Sequence, residues 1–358
     1  MSFFSKLNSG FENLHVLVEV MSNSIIFSIL LAKGRSYGKL ASVSIEHQAM
    51  GGSDFLQKDI QKLDTVLSKG FTGLRKAVEI KIGKKYKDGS DMKIKSSTVI
   101  LYSPWFSVKK EANLAIGNKA QKNFVTKKSI ELALSQFESR GETLEMFVDE
   151  IKLNGYRVSN PIGKKVEHVS VSAFFYLAPK KLTDCITKEI NFHTSTSPKI
   201  LTSPKSYALF ALRHAMKLPA LFICVENQRT SVVQVSEGNF LSDFPCYTSQ
   251  TIDFGLNQLV EILMKKSGID KQMAFSYLRL LNDDMLADRA SLMTKSARDE
   301  GLEIWKSKIN SLALRGNKKF LLCREPKFSE IFIKTLGRDF SRDINSEQIT
   351  FESCFFDV

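Results

Sequence analysis

The sequence predicts an α/β protein of two lobes, with a small α+β unit inserted into the first lobe. Three observations predict this class. Closely spaced apolar strands open the chain at 14–47, a strand–helix–strand–strand–helix order fills 105–197, and a second set of paired strands begins at residue 220. Because helical patterns follow the strands in each half, each set of strands is expected to form the sheet of its own lobe.

The first lobe is expected to span residues 12–104 and 198–219 and to open with an antiparallel meander. Its first three strands are the apolar runs at 14–20, 24–32 and 40–47. A long amphipathic helix follows from Asp54, because apolar residues recur at intervals of three, four or seven. Those residues are Ile60, Leu63, Leu67, Leu74 and Val78. A strand at 98–102 then leads into the inserted unit.

The inserted unit is expected to span residues 105–197. In order, its elements are a strand at 108–115, a helix capped by Thr126, strands at 147–153 and 166–177, and a helix at 180–190. Thr126 suits the first position of a helix because its hydroxyl can accept a bond from a free backbone N–H. Asn154 and Gly155 are the residues that a tight hairpin turn favours.

The second lobe is expected to span residues 220–358. Its strands are expected at 220–225, 230–235 and 319–323, with a last strand at 349–356. Its helices are expected from Thr251 or Asp253, at 270–281, at 285–314 and at 328–336. The two opening strands are short and apolar, and a turn of polar residues joins them, which is typical of a buried hairpin. This hairpin therefore stands where the meander stands in the first lobe.

Two short motifs in the inserted unit resemble a known family. They are Asn154-Gly155-Tyr156 and Asn160-Pro161-Ile162-Gly163. Pro161 fixes one backbone dihedral and Gly163 permits unusual ones, so a tight turn is expected before the next strand. The segment resembles the part of FtsA and PilM proteins that lies in their inserted 1C subdomain, of the SHS2 type. The resemblance covers about residues 14–340, and it implies a two-lobed actin-like, or ribonuclease H-like, fold.

The resemblance implies a docking protein rather than an enzyme. In PilM-like proteins the chain would capture the cytoplasmic tail of a membrane protein during type IV pilus assembly. In FtsA-like proteins it would recruit cell-division or cytoskeletal proteins and associate with itself. The turn residues Asn160, Pro161 and Gly163 are the candidate partner contact. The chain ends in Phe355-Phe356-Asp357-Val358 without a basic amphipathic helix, which favours the PilM-like branch.

Members of this superfamily that hydrolyse ATP hold the nucleotide with two hairpins, each of which carries Asp, Gly and hydroxyl residues. The glycine lets backbone N–H groups approach the phosphates, and the carboxylate organises hydrated Mg²⁺. In the first hairpin, Glu19 stands at the acidic position and Met21 at the glycine position. Ser22 and Ser24 keep hydroxyl groups. Glu19, Ser22 and Ser24 are therefore the candidate nucleotide contacts of this lobe.

The second hairpin departs further from the family pattern. Its acidic position falls on Cys224 or Val225, depending on a shift of one residue, and neither side chain is a carboxylate. Asn227 replaces a glycine, while Thr230 keeps a hydroxyl, so these two are the candidate contacts. A later Gly-Gly element would fall at residues 323–326, which contain no glycine. The pattern predicts a pseudo-ATPase without cofactor, and an active Mg-ATPase is the alternative.

The charge of the chain favours anionic partners. Lys and Arg number 51 against 38 Asp and Glu, a formal net charge of +13. A basic nucleic-acid-binding protein is therefore a further alternative, although the chain carries no recognised reader motif. The histidines and cysteines lack the spacing of a metal site, and no Walker A or GxSxG pattern occurs. We therefore predict neither a metal nor a catalytic residue.

The location of the protein follows from its apolar segments. No apolar run reaches the roughly 18 residues of a membrane span. Near-helical spacing of apolar residues at the start of the chain suits either an interfacial helix or a segment that packs on its own domain. These residues are Phe3, Phe4, Leu7, Phe11 and Leu14. We therefore expect a cytoplasmic protein, with peripheral contact at the inner membrane as a further option.

Overall fold

A computed structural model gives the fold of the chain. It describes residues 14–21, 24–33, 36–47, 57–82, 94–116, 124–135, 143–238, 245–283, 285–312, 318–323, 328–336 and 340–341. The chain divides into two compact units, Met1–Ser203 and Pro204–Val358. Three sheets and eight helices within the described ranges confirm the predicted α/β class. The finer limits predicted for the lobes and the inserted unit stay a prediction.

The first unit contains nine strands and three helices among its described residues. They are β1 (Leu14–Val20), β2 (Ser24–Lys33), β3 (Ser36–Glu46), α1 (Gln57–Ile82), β4 (Ile94–Leu101), β5 (Ser107–Ile116), α2 (Lys127–Ser135), β6 (Thr143–Leu153), β7 (Tyr156–Arg157), β8 (His168–Leu177), α3 (Lys180–Thr194) and β9 (Pro198–Thr202). The predicted helix start at Asp54, the apolar residues 3–11 and Ser22 lie outside the described residues.

The main sheet of the first unit has the strand order β3-β2-β1-β4-β9. Strands β1, β2 and β3 are antiparallel neighbours, as the predicted meander requires, and β4 and β9 run parallel to β1. Every residue of β1 is buried. Buried apolar residues of α1 and α3 join those of this sheet in one core. Among them, the rings of Phe27 and Phe71 meet edge to face at 5.2 Å.

Helix α3 belongs to this core, although its sequence position falls in the predicted inserted unit. Its apolar residues Leu182, Ile186 and Ile190 are fully buried with Leu63 and Leu67 of α1. The sequence pattern shows which face of a helix is apolar, but it does not show which neighbour that face contacts. For this reason the helix pattern alone could not assign α3 to the main sheet.

A separate antiparallel sheet lies between β4 and α3 in the chain, with the order β5-β8-β6-β7. Helix α2 packs on β5 and β8, and Leu134 of α2 contacts Phe175 and Ala173 of β8. Thr126 caps α2 as predicted, because its Oγ1 accepts a hydrogen bond from the Ser129 N–H at 3.2 Å. An inserted α+β unit is thus present, while its assignment to the SHS2 type stays a prediction.

The second unit contains five strands and five helices among its described residues. They are α4 (Ser203–Arg213), β10 (Ala220–Val225), β11 (Thr230–Ser236), β12 (Cys246–Ile252), α5 (Leu256–Ser267), α6 (Lys271–Asn282), α7 (Asp288–Ser311), β13 (Lys318–Cys323), α8 (Ser329–Leu336) and β14 (Phe340–Ser341). The strand order is β12-β11-β10-β13-β14. Alternate residues of β10 face α5 to α8 in one core, while Phe222 stacks on Tyr207 of α4 at 5.2 Å.

Two predictions in the second unit differ from the structure. The sequence predicts a helix that begins at Thr251 or Asp253. In the structure, Thr251 belongs to β12 and α5 begins at Leu256. Strand β12 was missed because its sequence, CYTSQTI, is mostly polar and only partly buried, so it lacks the apolar alternation of a half-buried strand. The strand predicted at 349–356 lies outside the described residues.

The two main sheets have the same strand order and directions. Each sheet begins with three consecutive antiparallel strands, and the first of them also pairs in parallel with a fourth strand. A fifth strand pairs in parallel with the fourth and lies at the edge of the sheet. Strand β1 therefore corresponds to β10, β2 to β11 and β4 to β13. Within the described ranges, none of the helices has the length and apolar character needed to cross a bilayer.

Candidate functional site

The turns of two corresponding hairpins are the candidate functional site. In the first unit, β1 and β2 are joined at Met21, whose N–H donates to the Ser24 carbonyl at 3.0 Å. In the second unit, β10 and β11 are joined at Glu226, whose N–H donates to the Arg229 carbonyl at 2.8 Å. These matching bonds align the hairpins residue by residue, so Met21 corresponds to Glu226.

This alignment decides the register that the sequence left open. Val20 is the last residue of β1 and pairs with Ile25, while Val225 is the last residue of β10 and pairs with Thr230. Counting back one residue, Cys224 stands where Glu19 stands in the first unit. Cys224 is fully buried and is not part of a disulfide. The second hairpin therefore has no carboxylate at the position that corresponds to Glu19.

Glu19 is a buried side chain, 2% exposed. Its Oε1 accepts a hydrogen bond from the Tyr102 hydroxyl at 3.1 Å. Tyr102 lies directly after β4, the strand that pairs with β1, and its N–H donates to the Val20 carbonyl at 3.0 Å. The carboxylate predicted to organise a hydrated cation is thus held by a tyrosine of its own unit.

Met21 occupies the position where the family pattern has a glycine. Its side chain is 6% exposed, and its carbonyl accepts a hydrogen bond from the Trp105 Nε1–H at 2.7 Å. The backbone at Met21 is therefore buried, and its carbonyl is already bonded to the indole. The residue predicted alongside it, Ser24, closes the turn through its own carbonyl.

In the second unit, the turn of the hairpin is bonded to the start of helix α5. The Leu256 N–H donates to the Glu226 carbonyl at 3.1 Å, and the Asn257 N–H donates to the Asn227 carbonyl at 2.7 Å. The Gly255 N–H donates to the Gln258 side-chain oxygen at 2.7 Å. These are amides that lack a partner inside a helix and that bind anions when left free. Here three of them are already bonded within the protein.

Gly255 makes this contact sterically feasible. A Cβ atom at this position would lie 2.3 Å from the Glu226 carbonyl oxygen and 2.6 Å from the Arg229 nitrogen. Both contacts are with backbone atoms, which cannot rotate away as a side chain would. Gly255 is not among the site residues predicted from the sequence. The signal available was a glycine immediately before an apolar helical repeat, at the position where helices begin.

Thr230, a predicted nucleotide contact, is completely buried. Its hydroxyl donates to the Phe254 carbonyl at 2.7 Å and accepts from the Trp305 Nε1–H at 3.0 Å. Its proton and one of its lone pairs are therefore used within the second unit. Asn227, the other predicted contact, lies in the turn and binds α5 through its carbonyl rather than its side chain.

Glu226 is a functional candidate that the sequence analysis missed. Its side chain is 3% exposed, and among the described residues its Oε2 has no hydrogen-bond partner. The Ser231 hydroxyl lies 3.5 Å from its Oε1. Burial raises the pKa of Glu226 to about 8, although Arg229 and Ser231 oppose the shift. The signal was a carboxylate placed directly after six apolar residues, where an unpaired charge is costly.

The turn of the inserted unit brings its predicted residues together. Gly163 has a φ of +80°, as expected for the residue that completes a tight turn. Its N–H donates to the Val125 carbonyl at 2.9 Å, and the Val125 N–H donates to the Lys164 carbonyl at 2.9 Å. Pro161 is buried, while Asn160 is exposed. The turn is therefore fixed to the segment before α2, and Asn160 is available to a partner.

The described residues contain no cluster of three or more His, Cys, Asp or Glu side chains that could hold a metal ion. A scan of protein-family models finds no match, and no curated protein sequence matches the chain. Among solved structures, one chain of the PilM–PilN type IV pilus biogenesis complex is 13% identical and gives a TM-score of 0.51. The match covers 95% of this chain and 96% of that one.

The chain has an actin-like fold. Two further solved structures match over most of their length. The ethanolamine utilization protein EutJ from Carboxydothermus hydrogenoformans is 9% identical, with a TM-score of 0.45 and coverage of 98% and 90%. A Bacteroides thetaiotaomicron protein with an actin-like ATPase fold and unknown function is 11% identical, with a TM-score of 0.39 and coverage of 99% and 98%. The predicted fold resemblance is confirmed.

Proposed function

We propose that this chain is a non-catalytic actin-like scaffold that binds the tail of a membrane protein during type IV pilus assembly. It would work at the cytoplasmic face of the inner membrane. We infer the absence of catalysis from the backbone amides at the start of α5, which already make hydrogen bonds within the protein. Gly255, Leu256 and Asn257 donate to acceptors of their own unit. A phosphate would have to displace these bonds.

The first hairpin supports the same proposal independently. Met21 lies buried where close approach of phosphate to the backbone requires a glycine. Glu19 is bonded to Tyr102, so a cation would compete with this hydrogen bond for the carboxylate. Each hairpin therefore opposes nucleotide binding through contacts of its own, and restoring one would leave the other unchanged.

The pilus assignment is supported by the match to the PilM–PilN complex over nearly all of both chains. The inserted unit supplies a suitable docking module, because its turn exposes Asn160 on a backbone that Gly163 and Val125 hold in place. A preformed turn loses little conformational entropy when a partner binds. The turn residues Asn160, Pro161 and Gly163 stay the candidate contact with the tail.

The nucleotide part of the proposal is tested by thermal unfolding of the full chain with Mg-ATP. A ligand at about 100 times its Kd would stabilise the folded state by about 2.7 kcal/mol. We expect no shift of the melting temperature at millimolar Mg-ATP. A shift that Glu19→Gln abolishes would instead show that Mg-ATP binds at this hairpin, and release of inorganic phosphate from the same mixture would then identify an active Mg-ATPase.

The partner part is tested by binding to immobilised peptides. One peptide carries the cytoplasmic tail of a pilus membrane protein, and the other carries the tail of the division protein FtsZ. We expect binding to the first peptide alone, and weaker binding by Asn160→Ala than by the control Asn191→Ala, which alters an exposed asparagine of α3. Binding to the FtsZ tail alone would identify an FtsA-like division scaffold, and binding to neither would contradict both branches.

A further inference from the structure

One end of the inserted sheet carries an unusual combination of exposed side chains. The segment 124–128 and the turn 162–165 are neighbours, because Phe124 bridges to Lys165 and Val125 bonds to Lys164. We define the tip as the exposed residues Phe124, Lys127, Lys128, Ile162, Lys164 and Lys165. Its two apolar side chains are large and remain 50% and 41% exposed, for Phe124 and Ile162 respectively.

The hairpin between β6 and β7 lies at the same end of the sheet. The Asn154 N–H donates to the His168 carbonyl at 2.9 Å, and the Asn154 side chain accepts from the Glu167 and His168 N–H groups. Tyr156, 78% exposed, follows this turn. The end of the sheet thus adds an exposed tyrosine to the phenylalanine and isoleucine of the tip.

The charge of these segments is positive. The tip contains four lysines, and the neighbouring acidic residues are Glu131, in α2, and Glu167, before β8. In the described part of the chain, no ion pair involves any of the four tip lysines. All four lysine side chains are exposed, so anionic groups outside the protein can reach them.

We propose that the tip binds an anionic lipid surface. Lysines attract acidic headgroups, and apolar or aromatic side chains beside them enter the boundary between headgroups and acyl chains. Nucleic acid would use the lysines but would leave Ile162 without a partner. The combination of both side-chain types on one rigid turn favours lipid. Contact with lipid and capture of a tail are compatible, since the tail of a membrane protein emerges at the bilayer surface.

The proposal is tested by sedimentation of the full chain with vesicles. One set contains phosphatidylcholine alone, and the other also contains phosphatidylglycerol, which is anionic. We expect binding to the anionic vesicles, and loss of this binding near 1 M salt, where the screening length falls to about 3 Å. Neither vesicle contains protein, so this test is independent of the tail-binding experiment.

Charge reversal at the tip supplies the decisive comparison. Lys164→Glu with Lys165→Glu should weaken binding to anionic vesicles by at least about 30-fold, since each lysine near such a surface contributes about 1 kcal/mol. The matched control is Lys180→Glu with Lys181→Glu. It makes the same charge change on exposed residues of α3, beyond the opposite end of β8. The control should bind within about 3-fold of wild type.

The apolar part is tested with Phe124→Ser plus Ile162→Ser, against the exposed control Ile80→Ser on α1. We expect the tip variant alone to lose binding, with unchanged circular dichroism for both. The proposal is overturned if the wild-type protein does not sediment with anionic vesicles. It is also overturned if the tip variants and the control variants bind these vesicles equally well. Tip-dependent binding to polyglutamate without binding to vesicles overturns it in favour of an acidic protein partner.

Discussion

At the scale of single residues, Glu226 combines burial with an unmade hydrogen bond. Glu226 lies in a turn that is bonded to α5 through the carbonyls of Glu226 and Asn227, and one oxygen of its carboxyl has no hydrogen-bond partner among the described residues. Burial raises the pKa of Glu226 to about 8, against an ordinary value of 4.5. The folded protein therefore holds a proton there that the unfolded chain releases at neutral pH.

This proton makes stability depend on pH. Because the pKa of Glu226 is higher in the folded state, its contribution to stability is fully present below about pH 4.5 and is lost as the pH rises through about 8. We expect the free energy of unfolding of Glu226→Gln to equal that of wild type near pH 5. Near pH 9 it should be greater than that of wild type by a few kcal/mol. Urea unfolding at both pH values measures this difference. A Gln variant with the same pH dependence as wild type would contradict the assignment.

Gly255 gives a second expectation at this scale. Gly255→Ala would place a Cβ atom 2.3 Å from the Glu226 carbonyl oxygen and separate the turn from α5. We expect a loss of about 3 kcal/mol or more in the free energy of unfolding, the upper range for overpacked sites. The control is Gly38→Ala, where a Cβ atom meets nothing within 4 Å. Equal stability of the two variants in denaturant would show that the contact is not required.

The individual site residues show what a sequence can and cannot reveal. Glu19 and Met21 were placed in their hairpin because the apolar run that contains Glu19 and the turn that begins at Met21 are both visible in the sequence. The roles of Thr230 and Gly255 were not predictable, since their partners Trp305 and Glu226 lie 75 and 29 positions away in the chain. The spacing of residue types within one segment does not reveal contacts with residues that are far away in the sequence.

At the scale of elements, helices α1 and α3 meet at a group of titratable side chains. Glu189 of α3 shares a hydrogen bond with Asp64 of α1, and burial and then the charge of Asp64 raise the pKa of Glu189. The Cys185 thiol lies 3.9 Å from an Asp64 oxygen, and burial with the nearby carboxylates raises its pKa to about 11. Burial and Arg75 lower the pKa of His193, which stacks on Phe71 at 4.7 Å.

The acidic pair predicts a second pH effect on stability. Since the pKa of Glu189 is raised in the folded state, its contribution is present in acid and is lost as the pH rises. Lys188 opposes the shift without cancelling it. We expect Glu189→Gln, whose amide can donate to Asp64, to be more stable than wild type at pH 8. The gain should shrink toward pH 4 in urea unfolding. Glu79→Gln, on the exposed face of α1, should show neither effect.

Most elements were predictable because their apolar residues repeat with the period of a strand or a helix. Strand β12 and the placement of α3 were not predictable in this way. In both cases the missing information was which element lies beside them in the fold, and the periodicity of apolar residues does not reveal it. The strand β12 lies at the edge of its sheet and pairs only with β11 among the described strands, so few of its side chains need be apolar. Helix α3 shows an apolar face, but its partner α1 is remote in sequence.

At the scale of the whole molecule, the chain repeats one sheet topology without a visible sequence repeat. The strand order and directions agree, yet Glu19 corresponds to Cys224 and Met21 to Glu226. Cores tolerate many combinations of apolar residues when the total volume and the pattern are kept, so two different sequences can form the same sheet topology. Two separate apolar cores, one in each unit, are consistent with this independence.

The separate cores lead to an expectation for a fragment. In Pro204–Val358, α5 to α8 cover one face of the sheet and α4 contacts the other through Tyr207 and Phe222. We expect this fragment to fold alone and to unfold cooperatively on heating. Trp305, fully buried, reports the transition by fluorescence. A fragment with the fluorescence of unfolded chain would show that its core requires the first unit.

The bonds between the hairpin turn and α5 also bear on how this protein could change. Placing an aspartate and a glycine in the turn would not by itself free the backbone amides of α5, because Leu256 and Asn257 would still donate to the carbonyls of residues 226 and 227. The turn would first have to withdraw from the helix, which gains nothing until a ligand arrives. An anion at the start of α5 would therefore have to bind tightly enough to replace the hydrogen bonds that Leu256 and Asn257 already make with the turn.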